Sequence, residues 1–289
     1  MNEQPLISIV VPSFNQGRYI EQTITSVLGQ SYANKELIVI DGGSTDETRE
    51  VVARYAGQIA HFVSEKDSGQ SGAINKGMRV ARGDIVAWLN SDDMYLPCVF
   101  EKAVKAIGDV RQPHLIYGAS LNLREGKPSS KGFWPKPFDA QRLRHRDYMN
   151  QPATFWTRAL WEKTGELNEA LNFVMDWDWF IRATAHCDFT LVEDYFAIYR
   201  FHAAHKTDTG SNRRNREIVA IVEKYADAGW AEVYRDVERD FARIVRWRER
   251  LKNTPFYRLR RFFPPRVYRH GTERVECALH QLIAHTWHS

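Results

Sequence analysis

Val86-Ala-Trp-Leu-Asn-Ser-Asp-Asp-Met94 carries an apolar run into two adjacent carboxylates, Asp92 and Asp93. Such a run reads as a buried strand. A strand ending in an acidic pair delivers hard oxygen ligands to the edge where open α/β sheets bind ligands. Mg²⁺ and Mn²⁺ favour such oxygens and commonly arrive with a phosphate. The pair gains meaning from what precedes it. Leu6-Ile-Ser-Ile-Val-Val11, stopped by Pro12, reads as a buried parallel strand, and Ile20, Ile24, Val27 and Leu28 follow at helical spacing. Glu36-Leu-Ile-Val-Ile40 is a second strand, and Asp41-Gly-Gly-Ser-Thr-Asp46 a turn into a helix carrying Val51, Val52 and Tyr55. A short strand at His61–Ser64, a helix over Gly72–Ala81 and a strand over Asp84–Leu89 complete the alternation. That alternation predicts an α/β fold on a mostly parallel sheet.

Farther on, His114–Tyr117 and Leu191–Arg200 read as strands, Thr154-Phe-Trp156 as a return to the core, and Val174–Ala185 as a helix. Residues 122–150 are polar, basic and Pro-containing, the marks of a surface excursion. After Arg216 the pattern is wholly helical, so the expected organisation is a sheet domain over 1–215 and a helical extension over 216–289.

The chain has 289 residues, a net charge of +4 and a hydrophobic fraction of 43%, the composition of an ordinary globular protein. No apolar run approaches the ~20 residues that span a bilayer. The opening Met-Asn-Glu-Gln-Pro-Leu lacks the basic and apolar regions of a signal peptide. Cys98, Cys187 and Cys277 are odd in number and far apart, against a disulfide frame or a Cys-rich zinc site. The expected compartment is the cytoplasm. The modest charge gives no case for a nucleic-acid partner. The basic charge concentrates late: Arg243, Arg246, Arg248, Arg250, Lys252, Arg258, Arg260, Arg261, Arg266 and Arg269 are interleaved with Trp247, Phe256, Tyr257, Phe262 and Phe263. A basic stretch with aromatics over 241–269 suits either peripheral contact with an anionic membrane or the solvated face of a helical bundle. Pro264-Pro265 excludes one continuous helix there.

Six segments in order resemble the family 2 glycosyltransferases of GT-A (Rossmann-like) fold, over roughly residues 5–206. They are Val11-Pro-Ser-Phe-Asn15, Ile40-Asp-Gly-Gly-Ser-Thr-Asp46, Asp67-Ser-Gly-Gln70 leading to Ala73-Ile-Asn-Lys-Gly77, Asn90-Ser-Asp-Asp93, Met175-Asp-Trp-Asp178 and Tyr199-Arg-Phe-His202. The resemblance implies an inverting transferase that moves a sugar from a nucleotide-sugar, with UDP the expected nucleotide, to a hydroxyl of a glycan or lipid-linked glycan. Bacterial surface polysaccharide is the expected setting.

By that resemblance Asp93 is a ligand of Mn²⁺ or Mg²⁺ and Asp92 binds the donor ribose. His202 is a third metal-side group, or a loop histidine. Asp176 is the general base that takes the acceptor proton, as an ionised carboxylate suits. Met175 stands where relatives carry Glu, and Gly42 where they commonly carry a second Asp. The second departure leaves Asp41, or backbone groups, to face the nucleoside. Pro12 and Phe14 are expected beside the base, with Phe14 either stacked on it or in the core. Gln70, Asn75 and Lys76 are expected near the diphosphate. Trp156, Trp177 and Asp178 are expected at the acceptor pocket, although tryptophans are as often core residues. Two rivals stand beside this reading. A nucleotidyltransferase needs a Gly-rich basic loop after strand one, and Pro12-Ser-Phe-Asn-Gln-Gly17 is a poor one. A non-catalytic nucleotide-sugar-binding scaffold has no need of Asp92, Asp93 and Asp176.

Overall fold

The computed structural model describes residues 4–126, 131–202, 211–252 and 269–283. Two compact units emerge. Of the described residues, those up to 138 and those from 148 to 202 form the first, and 139–147 with those from 211 onward form the second. The sequence pattern places its division at 215/216 and gives no sign that 139–147 belongs with the C-terminal part.

In the first unit β1 (Ile7–Ser13) lies between β2 (Lys35–Asp41) and β4 (Ile85–Trp88), with β3 (His61–Ser64) outside β2, all parallel. β1 and β4 are buried along their whole length and β2 almost so, which is why they read as unbroken apolar runs rather than alternating ones. α1 (Gly17–Leu28) buries Tyr19, Ile20, Thr23, Ile24 and Val27, one face at helical spacing. α2 (Thr48–Ala53) and α3 (Gln70–Val80) follow β2 and β3.

Only in this half is every pairing parallel. β4 pairs antiparallel with β8 (Thr154–Thr157), and β8 antiparallel with β6 (Leu115–Arg124). The long β9 (Phe189–Phe201) runs parallel to β6 and antiparallel to the two-residue β5 (Met94–Tyr95). The whole is a mixed sheet of order β3-β2-β1-β4-β8-β6-β9-β5, with β7 (Lys131–Phe133) beside β6. Residues 122–150 are thus not all excursion: β6 runs on to Arg124, and a short helix, α5 (Ala140–Leu143), is capped by Asp139, which accepts from the Arg142 N–H at 2.9 Å. α4 (Val99–Ile107) and α6 (Arg158–Thr164) cover the second half, followed by α7 (Met175–Ala183). Trp156 and Trp179 pack at 4.8 Å between ring centroids, with Trp88 and Trp161 against them, as the aromatic centre of this core.

The second unit is helical: α8 (Ser211–Tyr225), α9 (Ala228–Lys252) and α10 (Thr272–Ile283). Ile218, Ile221 and Val222 of α8, Val233, Val237 and Ile244 of α9, and Val275, Leu279 and Leu282 of α10 are buried, each set at spacings of three, four or seven that share one helical face. The Tyr234 hydroxyl donates to the His145 carbonyl at 2.6 Å, and the His145 ring stacks on Trp230 at 4.0 Å. These contacts tie 139–147 into the helical unit. The basic stretch from 253 to 268 lies outside the described residues. Among those described, no helix is long and apolar enough to cross a membrane.

Candidate active site

The C-terminal ends of β1, β2 and β4 open onto one edge, and the loops there are laced together. Asn15, in the left-handed region at φ 51°, donates its N–H to Ser44 Oγ at 2.7 Å, and its side-chain oxygen accepts from the Thr45 N–H at 2.9 Å. Asp46 accepts from the N–H groups of Gly17 and Thr48 at 2.9 and 3.0 Å. Burial works to raise the Asp46 pKa, but these bonds and the Thr48 hydroxyl outweigh it and hold the carboxylate below its usual range. Asp46 therefore fastens the β1 and β2 loops as an ion.

After β4 the chain turns through Asn90–Asp93. Two elements far away in sequence complete this turn. β5 pairs Met94 with Ile198 of β9, which brings Arg200, Phe201 and the following His202 alongside the acids. The His202 Nε2 lies 3.0 Å from Asp92 Oδ2, and its ring sits 4.4 Å from that of Tyr19. Asp93 is the more deeply buried of the two acids. It is 1% exposed, and its Oδ1 accepts from the Arg200 N–H at 3.0 Å. Burial, and secondarily the Asp92 charge beside it, push the Asp93 carboxyl well above the usual carboxylate range, against the hydrogen bonds from Arg200 and Asn90. It is thus Asp92, expected at the ribose, that meets the imidazole. Asp93, expected as the metal ligand, is buried and held by the Arg200 N–H. Arg200 was not anticipated: its guanidinium donates to the Asp92 carbonyl at 2.8 Å and to Gln22, and lies over the Tyr19 ring. A lone Arg inside a strand pattern carries no sequence signal of such a role.

The remaining expected residues divide into edge and interior. Phe14, at 60% exposure, stands free of the core at the end of β1, while Pro12 is buried in β1 opposite Ile40. Gln70 opens α3 and donates to the Asn90 side chain at 2.7 Å, at the acidic turn itself. Asp176 lies in the first turn of α7, half-buried, and accepts from the Trp177 N–H at 2.8 Å.

Several expectations of substrate contact meet side chains already engaged. Asp41 is completely buried and accepts from the Ser44 N–H, the Ser44 hydroxyl and, at 2.6 Å, the Ser64 hydroxyl; it braces its own turn rather than facing a nucleoside. The buried Asn75 donates to the Leu167 carbonyl at 3.0 Å and accepts from the Leu167 N–H at 2.9 Å, so its amide serves a loop and not a diphosphate. Lys76 pairs with Glu65 at 2.5 Å. The buried Asp178 pairs with Arg182 at 2.9 Å, and that guanidinium also donates to the carbonyls of Thr164 and Glu166. Trp156 and Trp177 are buried and offer no face to an acceptor sugar. Apolar demand won over the alternative at both tryptophans.

Asp92 and His202 fit a divalent cation: a carboxylate oxygen and an imidazole nitrogen already converge, beside a second acid whose charge burial opposes. Two protein ligands suit a cation that also takes phosphate oxygens. Among the described residues a three-ligand group lies elsewhere, at Glu232, Asp236 and His270 of the second unit. There Arg269 already sits 3.0 and 2.9 Å from the two acids and Arg239 2.7 Å from Asp236, so positive charge is present without an ion.

A family model described as "Glycosyl transferase family 2" matches residues 8–159. Relatives include the putative teichuronic acid biosynthesis glycosyltransferase TuaG of Bacillus subtilis, 37% identical over 45% of this chain and 53% of its own length. Chondroitin synthase of Escherichia coli is 30% identical over 62% of this chain and 26% of its own. A Rickettsia typhi glycosyltransferase is 26% identical over 72% and 68%. Among solved structures, S. aureus TarS 1-349 in complex with UDP-GlcNAc superposes with a TM-score of 0.59 at 16% identity, covering 79% of this chain and 70% of its own. Mannosyltransferase PcManGT from Pyrobaculum calidifontis, in complex with GDP-Man and Mn²⁺, gives 0.56 at 19%, covering 98% and 75%. At these identities the structural likeness speaks for the GT-A fold alone.

Proposed function

The chain belongs to glycosyl transferase family 2, and we propose that it is a metal-dependent, inverting transferase that moves a sugar from a nucleoside-diphosphate sugar to a glycan or lipid-linked glycan hydroxyl in surface-polysaccharide assembly. The observation that carries the reading is the meeting of Asp92 and His202 at 3.0 Å, across strands β5 and β9, on the edge where the exposed Phe14 also stands. UDP is the expected nucleotide. The relatives named for teichuronic acid and chondroitin synthesis support the polysaccharide setting.

In this reading Asp92 and His202 hold Mn²⁺ or Mg²⁺ together with the donor diphosphate. The bound cation supplies Lewis-acid neutralisation of the departing diphosphate. Asp93, fixed by the Arg200 N–H, sets the shape of the turn and holds Asp92 toward the imidazole. Phe14 lies against the base. Asp176, in the first turn of α7, accepts the proton of the attacking hydroxyl at its carboxylate. Gln70 orders Asn90 beside the acids. The basic stretch over 241–269 keeps the enzyme at an anionic membrane surface, near a lipid-linked acceptor.

The test is calorimetric titration of UDP with and without Mn²⁺, paired with transfer assays. Asp92→Asn is expected to weaken Mn²⁺-dependent nucleotide binding at least 10-fold, and Asp93→Asn much less. Asp176→Asn is expected to lower kcat by about 10²–10⁴-fold while leaving nucleotide affinity intact. Full transfer by Asp176→Asn sinks the base assignment. Equal binding by Asp92→Asn and wild type sinks the metal site.

A further inference from the structure

The turn after β2 lacks a side chain at Gly42, yet the space beyond it is not empty. A Cβ built on Gly42 meets Asp67 Oδ2 at 2.9 Å and Oδ1 at 3.2 Å. A carboxylate from the β3–α3 loop thus stands where a side chain on the β2 turn would project. We propose that Asp67 is a specificity-determining residue of the donor site, its carboxylate accepting the imino N–H of the nucleobase.

Three observations carry this. The first is position: β2 and β3 end together, with Asp41 opposite Ser64 and the Glu65 N–H donating to the Asp41 carbonyl at 3.0 Å, so the β3–α3 loop rises over the β2 turn. The Gly42 N–H in turn donates to the Ser13 carbonyl at 2.8 Å, next to the exposed Phe14. The second is orientation: Asp67 Oδ1 accepts from the Gly69 N–H at 2.9 Å, a turn closed by Gly69 at φ 109°, which leaves Oδ2 without a partner among the described residues. The third is exclusion: of the acids on the β2 turn, Asp41 is buried with its oxygens engaged by Ser44 and Ser64, and Asp46 is engaged by the N–H groups of Gly17 and Thr48. Of the three acids, Asp67 is the one placed to reach a ligand.

An ionised carboxylate only accepts hydrogen bonds. It matches a base with a ring N–H on its pairing edge, which uracil has at N3 and guanine at N1, and it repels the bare ring nitrogen of cytosine or adenine. The inference rests on the donor-site reading above and adds the residue that selects the base.

The experiment is titration of UDP, GDP, CDP and ADP in Mn²⁺ into wild type, Asp67→Ala and the double variant Gly42→Asp/Asp67→Gly, which returns the carboxylate to the β2 turn. Wild type is expected to prefer UDP or GDP, and the better of the two names the base. Asp67→Ala is expected to lose about 10- to 100-fold for that nucleotide, the range of one hydrogen bond to a charged group, and to discriminate poorly against CDP. The double variant is expected to recover much of the preference. Undiminished affinity and selectivity in Asp67→Ala overturn the inference and leave the donor site standing, as does a wild-type preference for CDP or ADP. Binding of no nucleotide by the folded wild type overturns the donor site itself, and this inference with it.

Discussion

Glu36 and Asp41, near opposite ends of β2, show how the same functional group is fixed by its surroundings. Glu36 accepts from the Ser8 hydroxyl at 2.6 Å, the Arg82 N–H at 2.7 Å and the Arg82 guanidinium at 2.8 Å. It thereby joins β1, β2 and the turn into β4. Burial works to raise its pKa, but the bonds from Ser8 and Arg82 prevail and lower it. A depressed carboxylate stabilises the fold fully above its unfolded pKa of ~4.3, and the contribution fades as pH falls through the lower folded value. Glu36→Gln is therefore expected to cost about 1–3 kcal/mol at pH 7, the range for bonds to a charged group. The gap from wild type should narrow below about pH 4. Urea midpoints at pH 7, 5 and 3 measure it. A gap constant across that range shows that the Glu36 charge contributes nothing. The same scale explains why Asp92 and Asp93 are legible as a pair but not as individuals. An apolar run ending in two acids announces the site, whereas which acid faces the ligand depends on Arg200 and His202, more than 100 positions away.

Elements, rather than residues, decide where Asp176 is placed. The loop before α7 is held on α3 and the loop leading into it: Asn75 bonds both backbone groups of Leu167, Ser71 donates to the Leu171 carbonyl at 3.2 Å, and Glu169 accepts from Ser68 at 2.7 Å. α3 begins beside the acidic turn and Asp176 lies in the first turn of α7, so in the proposed reading this clasp relates the donor and acceptor sides. Asn75→Ala leaves the buried N–H and C=O of Leu167 unpaired, at about 1–3 kcal/mol each. The expected outcome is a loss of about 2–4 kcal/mol in stability, faster exchange of the Leu167 amide, and a kcat that falls more than nucleotide affinity does. A large loss of UDP affinity with kcat intact contradicts this and restores Asn75 to the diphosphate. The early strands and helices were readable because full burial writes itself as Val/Ile runs and helical faces as i, i+3/i+4 spacing. β5 was not, being two residues long, and the antiparallel pairing of β8 and β6 depends on partners no local pattern names. The tryptophans were ambiguous for the same reason: Trp177 in a first helical turn looks alike whether its ring meets a sugar or the Trp-rich core.

Over the whole molecule, charge and apolar surface are distributed differently in the two units. The sheet unit collects acids at one edge and ties its exposed Arg and Lys into pairs such as Arg79–Glu166 and Lys102–Asp194. The helical unit buries an apolar face and pairs Arg235 with Glu223, Arg239 with Asp236 and Arg243 with Asp240. Residues 253–268 contain Arg258, Arg260, Arg261 and Arg266 and no Asp or Glu. Within that run the four guanidinium groups have no acid nearby in sequence to offset them, and they alternate with Phe256, Tyr257, Phe262 and Phe263. A basic residue near an anionic surface is worth about 1 kcal/mol, and four together about 4 kcal/mol, or roughly 10³-fold in partition. Replacing the four with Gln leaves the buried faces of the three helices untouched and so tests membrane contact apart from folding. Sedimentation with phosphatidylglycerol-rich vesicles at low salt is expected to fall by two to three orders of magnitude in partition coefficient, while vesicles of phosphatidylcholine alone bind neither form. Wild-type binding should weaken steeply as ionic strength rises and the Debye length shortens to about 8 Å at 0.15 M. Equal sedimentation of the two forms with anionic vesicles refutes the membrane role of these arginines.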